Sequence, residues 1–296
     1  MENHISGFWE VPADVSHEGA FILDELAVLE VTGDDAEAFL HGQFTNHVKA
    51  IGDAFRLAAY CQPQGRILAL MRVAKHEDKF YLVLPADLVA GFVKRLSMFI
   101  LRSKVSIRVA EELSVAGLIN PTIDLPDVDK AHFENGLLIG RVRDCQNLPR
   151  ALVIGPKERI KEQFSCSEFS GIWFESEILA GLPWVFEKTR EAFIPQWINL
   201  DQIGGLVFDK GCYPGQEIIS RVQHIGSTPR RMITVQSDEA VNAQAGIDVF
   251  ADTEPAGSVV MIVNDADKTY ALVEVTIKSM EASEYKIQKS LFKSVR

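Results

Sequence analysis

The sequence predicts an α+β region followed by a small all-β barrel or sandwich. Three observations lead there. Between residues 27 and 118, short apolar runs joined by turn signals are interrupted by two helical stripes. The apolar runs pair as hairpins, which suits helices on one face of a mainly antiparallel sheet. From Thr228 onward no helical stripe is present, and alternating runs recur at the roughly 8–12-residue spacing of a compact β fold.

Taken in order, Ala27–Val31 reads as a strand, and Thr32-Gly33-Asp34-Asp35 supplies turn and N-cap chemistry. Ala36, Phe39, Leu40, Phe44 and Val48 then share one face of a predicted helix. Phe55 to Cys61, Arg66 to Ala74 and Lys79 to Leu84 read as strands joined by two hairpin turns, Gln62-Pro63-Gln64-Gly65 and Lys75-His76-Glu77-Asp78. Pro85 opens the strongest helix, whose stripe runs from Leu88 through Phe92 and Leu96 to Ile100. Strands follow at Val105–Val109 and Leu113–Leu118. Pro121 to Asn135 reads as a long connection, Gly136–Val142 and Ala151–Ile154 as strands, and Lys157–Phe164 as a short helix. A further helix is expected from Gly215 through Val222. The last strands are expected at Met232–Val235, Ile247–Phe250, Val259–Val263, Tyr270–Val275 and Tyr285–Phe292. Ser227-Thr228-Pro229 marks the expected boundary, dividing 1–227 from 228–296.

The chain has 296 residues, 47% hydrophobic and 24% charged, enough for two cores and inconsistent with disorder. Its apolar runs fall far short of the roughly 18–20 residues of a membrane span, and Met1–Trp9 lacks a secretory pattern. The net charge of −11 disfavours general binding of nucleic acid or anionic membrane. Cys61, Cys145, Cys166 and Cys212 make no metal-ligand or disulfide spacing, so no metal site is expected and a reducing cytoplasm is.

The most unusual segment is Lys210-Gly211-Cys212-Tyr213-Pro214-Gly215-Gln216-Glu217. Two glycines and a proline in so short a span fix a turn that lets backbone approach a ligand. Cys212, beside Lys210 and ahead of a helix N-terminus, is expected to be a thiolate-prone nucleophile. A tight turn in which Cys212 merely packs is the more frequent meaning of such spacing. Lys210, Arg221, His224, Arg230 and Arg231 form a small basic cluster that suits a carboxylate or phosphate, or a solvated junction equally well. Trp173, Trp184 and Trp197 are core residues or aromatic walls for a planar ligand. His41 and His47 are spaced poorly for joint metal ligation.

The octet Lys210–Glu217 resembles the signature of the YgfZ family, folate-binding proteins linked to tRNA modification and iron–sulfur enzyme maintenance. The resemblance extends to Val31–Ala36 with Phe39–Thr45, to Ala59–Arg66, and to Phe193–Gln196 with Asn199-Leu200. It implies an aminomethyltransferase-like, folate-binding α+β region around a central channel, plus a C-terminal β-barrel. It further implies tetrahydrofolate or a derivative as cofactor, and iron–sulfur enzymes or assembly proteins as partners. Trp173, upstream of Gly181-Leu182-Pro183, matches one of the family's two folate-site tryptophans; Leu26 stands where the other is expected. The related aminomethyltransferase of glycine cleavage carries an acidic pair where this chain has Ala69 and Leu70. An accessory, non-enzymatic role using Cys212 is therefore expected, the alternative being a folate-dependent aminomethyltransferase-like enzyme. Direct tight tRNA binding is not expected.

Overall fold

In a computed structural model, which describes residues 7–224 and 228–295, the first part of the chain forms two antiparallel-rich sheets and the last part closes a barrel. The five-stranded sheet runs Arg56–Cys61, Ile67–His76, Lys79–Pro85, Leu26–Thr32, Ser106–Val109 in spatial order. All of its pairings are antiparallel. The six-stranded sheet runs Cys166–Ser167, Gly19–Ile22, Ser114–Ile119, Leu148–Gly155, Leu137–Cys145, Ala131–Glu134.

Alternation decides which face each residue serves. In Arg56–Cys61, Leu57, Ala59 and Cys61 enter the central core, while Ala58 and Tyr60 turn outward to the helices at Ala36–His41 and Val89–Ser97. In Leu148–Gly155, Leu152 and Ile154 face the central core, while Ala151 and Val153 face Ile160 of the helix Lys157–Gln163. Both faces of each sheet are covered, which is why its strands read as nearly unbroken apolar runs.

The helix Gly171–Leu179 contributes Ile172, Trp173, Phe174 and Ile178 to the central core. It has no polar stripe, because Gly171 through Ile178 are all buried.

From Arg230 on, strands Glu254–Asp265, Asp248–Ala251, Tyr285–Ile287, Ser290–Ser294, Arg230–Ser237 and Lys268–Thr276 pair in a closed ring. Closure leaves this barrel no free edge. Its interior holds Val235, Val249, Val259, Val273, Tyr285 and Phe292. Phe8–Val11 adds to the outside of the ring, parallel to Phe8's partner Ile262 and its neighbours.

The structure corrects several expected bounds. The first helix ends at His41, not Val48, since Gly42 caps it and Phe44 bridges to Tyr60; Phe44 and Val48 are nevertheless fully buried. The helix after Pro85 stops at Ser97, leaving Met98, Phe99 and Leu101 exposed. The expected last strand is a hairpin, turned at Gln288 with φ 56°. Within Pro121–Asn135 a strand forms at Ala131–Glu134. Ser227 of the expected boundary lies outside the described residues.

Candidate functional site

The Lys210–Glu217 loop is fixed from both ends. At its start the Lys210 ammonium donates to the carbonyls of His41 (2.6 Å), Asn46 (3.0 Å) and Phe44, and lies 5.1 Å from the centre of the Tyr213 ring. Burial lowers this amine to about 8. At its end Gly215, with φ +84°, is pressed against the Gln62–Gly65 turn. A Cβ there would lie 2.6 Å from the Gln62 carbonyl oxygen and 2.8 Å from the Gly65 Cα. The helix Gln216–His224 then packs Ile218 and Ile219 over Gly65.

Between these anchors, Tyr213 turns inward and is buried, its hydroxyl without a partner among the described residues. Burial raises the Tyr213 phenol, keeping it protonated. Gly211 and Cys212 face solvent, as does Glu217, while Gln216 donates to the Lys210 carbonyl at 3.4 Å. The other thiols differ. Cys61 and Cys145 are buried, Cys166 is half-buried, and burial pushes all three thiols up.

The segments that carry the family resemblance meet around this loop. Thr45 Oγ1 accepts from the Ala59 amide (2.9 Å) and donates to the Gly205 carbonyl (2.7 Å). Asn46 Nδ2 donates to the carbonyls of Leu57 (2.8 Å) and Gly204 (2.6 Å). Gln196 Nε2 donates to the Ile219 carbonyl at 2.7 Å. Asn199, with φ 61°, donates through Nδ2 to the Met232 carbonyl at 2.8 Å, linking this region to the barrel.

Two of the five residues of the basic cluster are in ion pairs, and Lys210 is bound to backbone carbonyls. Arg230 pairs with Glu274 at 3.0 Å and Arg231 with Asp201 at 2.6 Å; Arg221 is exposed. The His224 side chain lies outside the described residues. Trp197 sits between guanidiniums, 4.6 Å from Arg66 and 5.4 Å from Arg230. His47, set aside in the sequence as poorly spaced from His41 for metal ligation, has its Nε2 3.0 Å from Asp209 beside the loop. His41 stacks on it at 5.8 Å and uses Nδ1 to accept the Val48 amide at 3.2 Å. Burial, then the Lys210 charge, lowers His41, so it stays the neutral acceptor.

Trp173 is enclosed, with 0% exposure. Its ring rests on Gly117, where a Cβ would come within 2.2 Å, and the Arg150 guanidinium lies 5.0 Å from its centre. Its Nε1 is buried without a partner among the described residues. Arg150 is itself fully buried. It donates to Glu177 Oε1 and Ser176 Oγ, both at 2.8 Å, and to the Arg143 carbonyl, while Trp184 Nε1 donates to Glu177 Oε2 at 2.8 Å. Trp173 and Tyr213 belong to one apolar cluster. Leu26 is a buried strand residue, and Ala69 and Leu70 are fully buried, so no carboxylate stands at those positions.

The interlock at Gly215 gives a direct test. Gly215→Ala adds a left-handed penalty of ~1–2 kcal/mol to a backbone clash at 2.6 Å. The variant is expected to unfold at clearly lower urea, while Gly211→Ala, with nothing within 4 Å of a new Cβ, shifts the midpoint far less. Equal midpoints for the two would refute the packing of this turn on Gln62–Gly65.

No protein-family model matches the chain. It is 28% identical over 246 residues to the tRNA-modifying protein YgfZ of Colwellia psychrerythraea, covering 76% of each. It is 30% identical over 251 residues to the protein of that name from an Enterobacter species, covering 77% of this chain and 74% of the relative. The glycine cleavage system aminomethyltransferase T of Bartonella henselae superposes with a TM-score of 0.69 over 95% of this chain and 85% of that one. At 15% identity, that likeness shows the fold alone: an aminomethyltransferase-like α+β region with a C-terminal β-barrel. With 30% identity to the Enterobacter protein over three-quarters of its length, and with the interlocked segments around Lys210–Glu217, the chain belongs to the YgfZ family.

Proposed function

We propose that the protein is a folate-binding accessory protein of the cytoplasm that maintains iron–sulfur enzymes and, through them, supports tRNA modification. The observation that carries this reading is the loop itself: its backbone is locked by Lys210 and Gly215, and the reactive group it exposes is the Cys212 thiol. A preorganised loop that spends its lysine on carbonyls and leaves a thiol outside suits handing chemistry to a partner. The relatives' name, tRNA-modifying protein, supports the outcome.

A reduced folate fits the residues present. A pterin is a flat heterocycle with donors and acceptors on its edge, and the cluster containing Trp173 holds two orphaned buried polar groups, Trp173 Nε1 and Tyr213 Oη. A bound tetrahydrofolate would supply a carrier for a one-carbon unit. Trp173 would hold it, with the orphaned Nε1 as a donor to the pterin edge. The reading divides the chain into a folate-binding region, 1–227, and a barrel, 228–296, with Phe8–Val11 joining the barrel's sheet. Aminomethyl transfer is the weaker reading, since Ala69 and Leu70 put no carboxylate where the related aminomethyltransferase carries its acidic pair.

Titration of tetrahydrofolate, followed by calorimetry, tests the cofactor. Trp173→Ala is uninformative, because emptying so enclosed a site costs about 3–5 kcal/mol of stability by itself. Trp173→Phe keeps most of the packing and removes Nε1, so folate affinity is expected to fall several-fold, the equivalent of about 0.5–1.5 kcal/mol. Saturable binding by the wild type that Trp173→Phe leaves unchanged would put the ligand elsewhere. No binding by the wild type would end the folate reading.

A further inference from the structure

Three side chains from distant parts of the chain, none of them among the residues that hold the Cys212 loop, converge. His17 lies in the link between Phe8–Val11 and Gly19–Ile22, Glu175 on the helix Gly171–Leu179, and Asp265 at the end of the strand Glu254–Asp265. His17 Nε2 is 3.3 Å from Glu175 Oε2 and 3.5 Å from Asp265 Oδ2, and one ligand atom from each residue lies within 4.8 Å of the other two. We propose that His17, Glu175 and Asp265 form a binding site for one divalent metal ion of the zinc class.

The spacing suits such an ion. Zinc bonds nitrogen and carboxylate oxygen at about 2.0–2.2 Å, so neighbouring ligand atoms of a tetrahedron stand about 3.3–3.6 Å apart. Both nitrogen-to-oxygen distances fall in that range. An imidazole with two carboxylates is a borderline-to-hard donor set that leaves a fourth position for water.

Glu175 supplies the independent observation. Its side chain is 7% exposed, and Oε2 is buried with no well-directed hydrogen bond. Glu177, two residues along the same helix, shows the alternative treatment of a buried carboxylate, with Arg150 and Trp184 on its two oxygens. Among the described residues, no lysine or arginine pairs with Glu175 or Asp265. A lone imidazolium does not satisfy the pair, because the single Nε2 proton can be aimed well at only one carboxylate. His17 is half-exposed, which gives an ion its route in. With one ligand on the central helix and another on the barrel strand, a bound ion ties these elements together.

The test uses the full chain, stripped of metal by dialysis against a chelator and titrated with Zn²⁺ against a chromophoric competitor. Co²⁺ is added in parallel for its visible spectrum. The wild type is expected to bind a single zinc, to show the intense bands of tetrahedral cobalt, and to melt higher with zinc. His17→Ala and Asp265→Asn are expected to lose affinity by about tenfold or more and to lose the zinc-dependent rise in Tm. Glu175→Gln, which preserves volume, is expected to do the same with its circular dichroism unchanged. Variants that bind as tightly as the wild type, or a wild type without stoichiometric binding, would overturn the proposal. So would loss of the site in Cys212→Ser, which would assign the zinc to that exposed thiol.

Discussion

Glu177→Ala is expected to cost about 3–5 kcal/mol, a large part of the roughly 5–15 kcal/mol that holds a typical protein folded. The reason is what it abandons. Arg150 has no solvent exposure, and Glu177 is the carboxylate on its Nη1 at 2.8 Å. Removing it leaves a buried guanidinium with Ser176 Oγ and the Arg143 carbonyl, neither of which carries compensating charge. It also orphans Trp184 Nε1. The pair itself need contribute little net stability, since burying two ions costs about what their attraction returns. Hence Arg150→Met combined with Glu177→Leu is expected to be far less damaging than the Glu177→Ala single change. Urea unfolding of the wild type, Arg150→Met, Glu177→Leu and the double as a cycle measures the coupling. A Glu177→Ala cost below about 1 kcal/mol would mean that water reaches Arg150, and that the interior around Trp173 is wetter than this packing allows.

How much of this was legible beforehand follows from periodicity and reach. The hairpin strands were readable because Leu57, Ala59 and Cys61 alternate with Ala58 and Tyr60 between two apolar environments. The barrel strands were readable from turn spacing. The central helix was not, because a helix buried on every side has no polar face to mark its period. Phe8–Val11 and Gly19–Ile22 were also hidden. Each is four residues long and is defined by partners far along the chain, Ile262–Asp265 for the first and Ala116–Ile119 for the second. The glycines and proline of Lys210–Glu217 announced a fixed turn, and Gly215 needs that freedom. The work of Lys210 was invisible, since its three carbonyl acceptors belong to residues 41–46. So was the enclosure of Trp173, which depends on Gly117 and Arg150 from two strands. The grouping of His17, Glu175 and Asp265 spans most of the chain and leaves no local spacing to read.

Cys212→Ser is expected to abolish the support of iron–sulfur enzyme activity in cells while the protein folds and binds folate as before. The structural half of that expectation rests on exposure. Cys212 faces solvent beside an exposed Gly211, and the loop is held by Lys210, Gly215 and Gln216 rather than by the thiol. An exposed oxygen-for-sulfur exchange of this kind is expected to change stability by no more than about 0.5 kcal/mol. The chemical half rests on what sulfur does and oxygen does not: the softer, more polarisable sulfur attacks electrophiles and binds soft metals far more readily than a serine hydroxyl. Accessibility also predicts an order of modification. Limiting iodoacetamide on the native protein is expected to label Cys212 first, with Cys166 behind it and Cys61 and Cys145 last, because burial both hides those thiols and disfavours their thiolates. Peptide mass spectrometry reads that order directly. In cells lacking the protein, the wild type is expected to restore iron–sulfur enzyme activity and Cys212→Ser, at matched abundance, to leave it at background. Full restoration by the serine variant would make the cysteine dispensable, leaving the locked loop as a docking element. Labelling of Cys61 or Cys145 ahead of Cys212 would contradict the exposure on which the assignment stands.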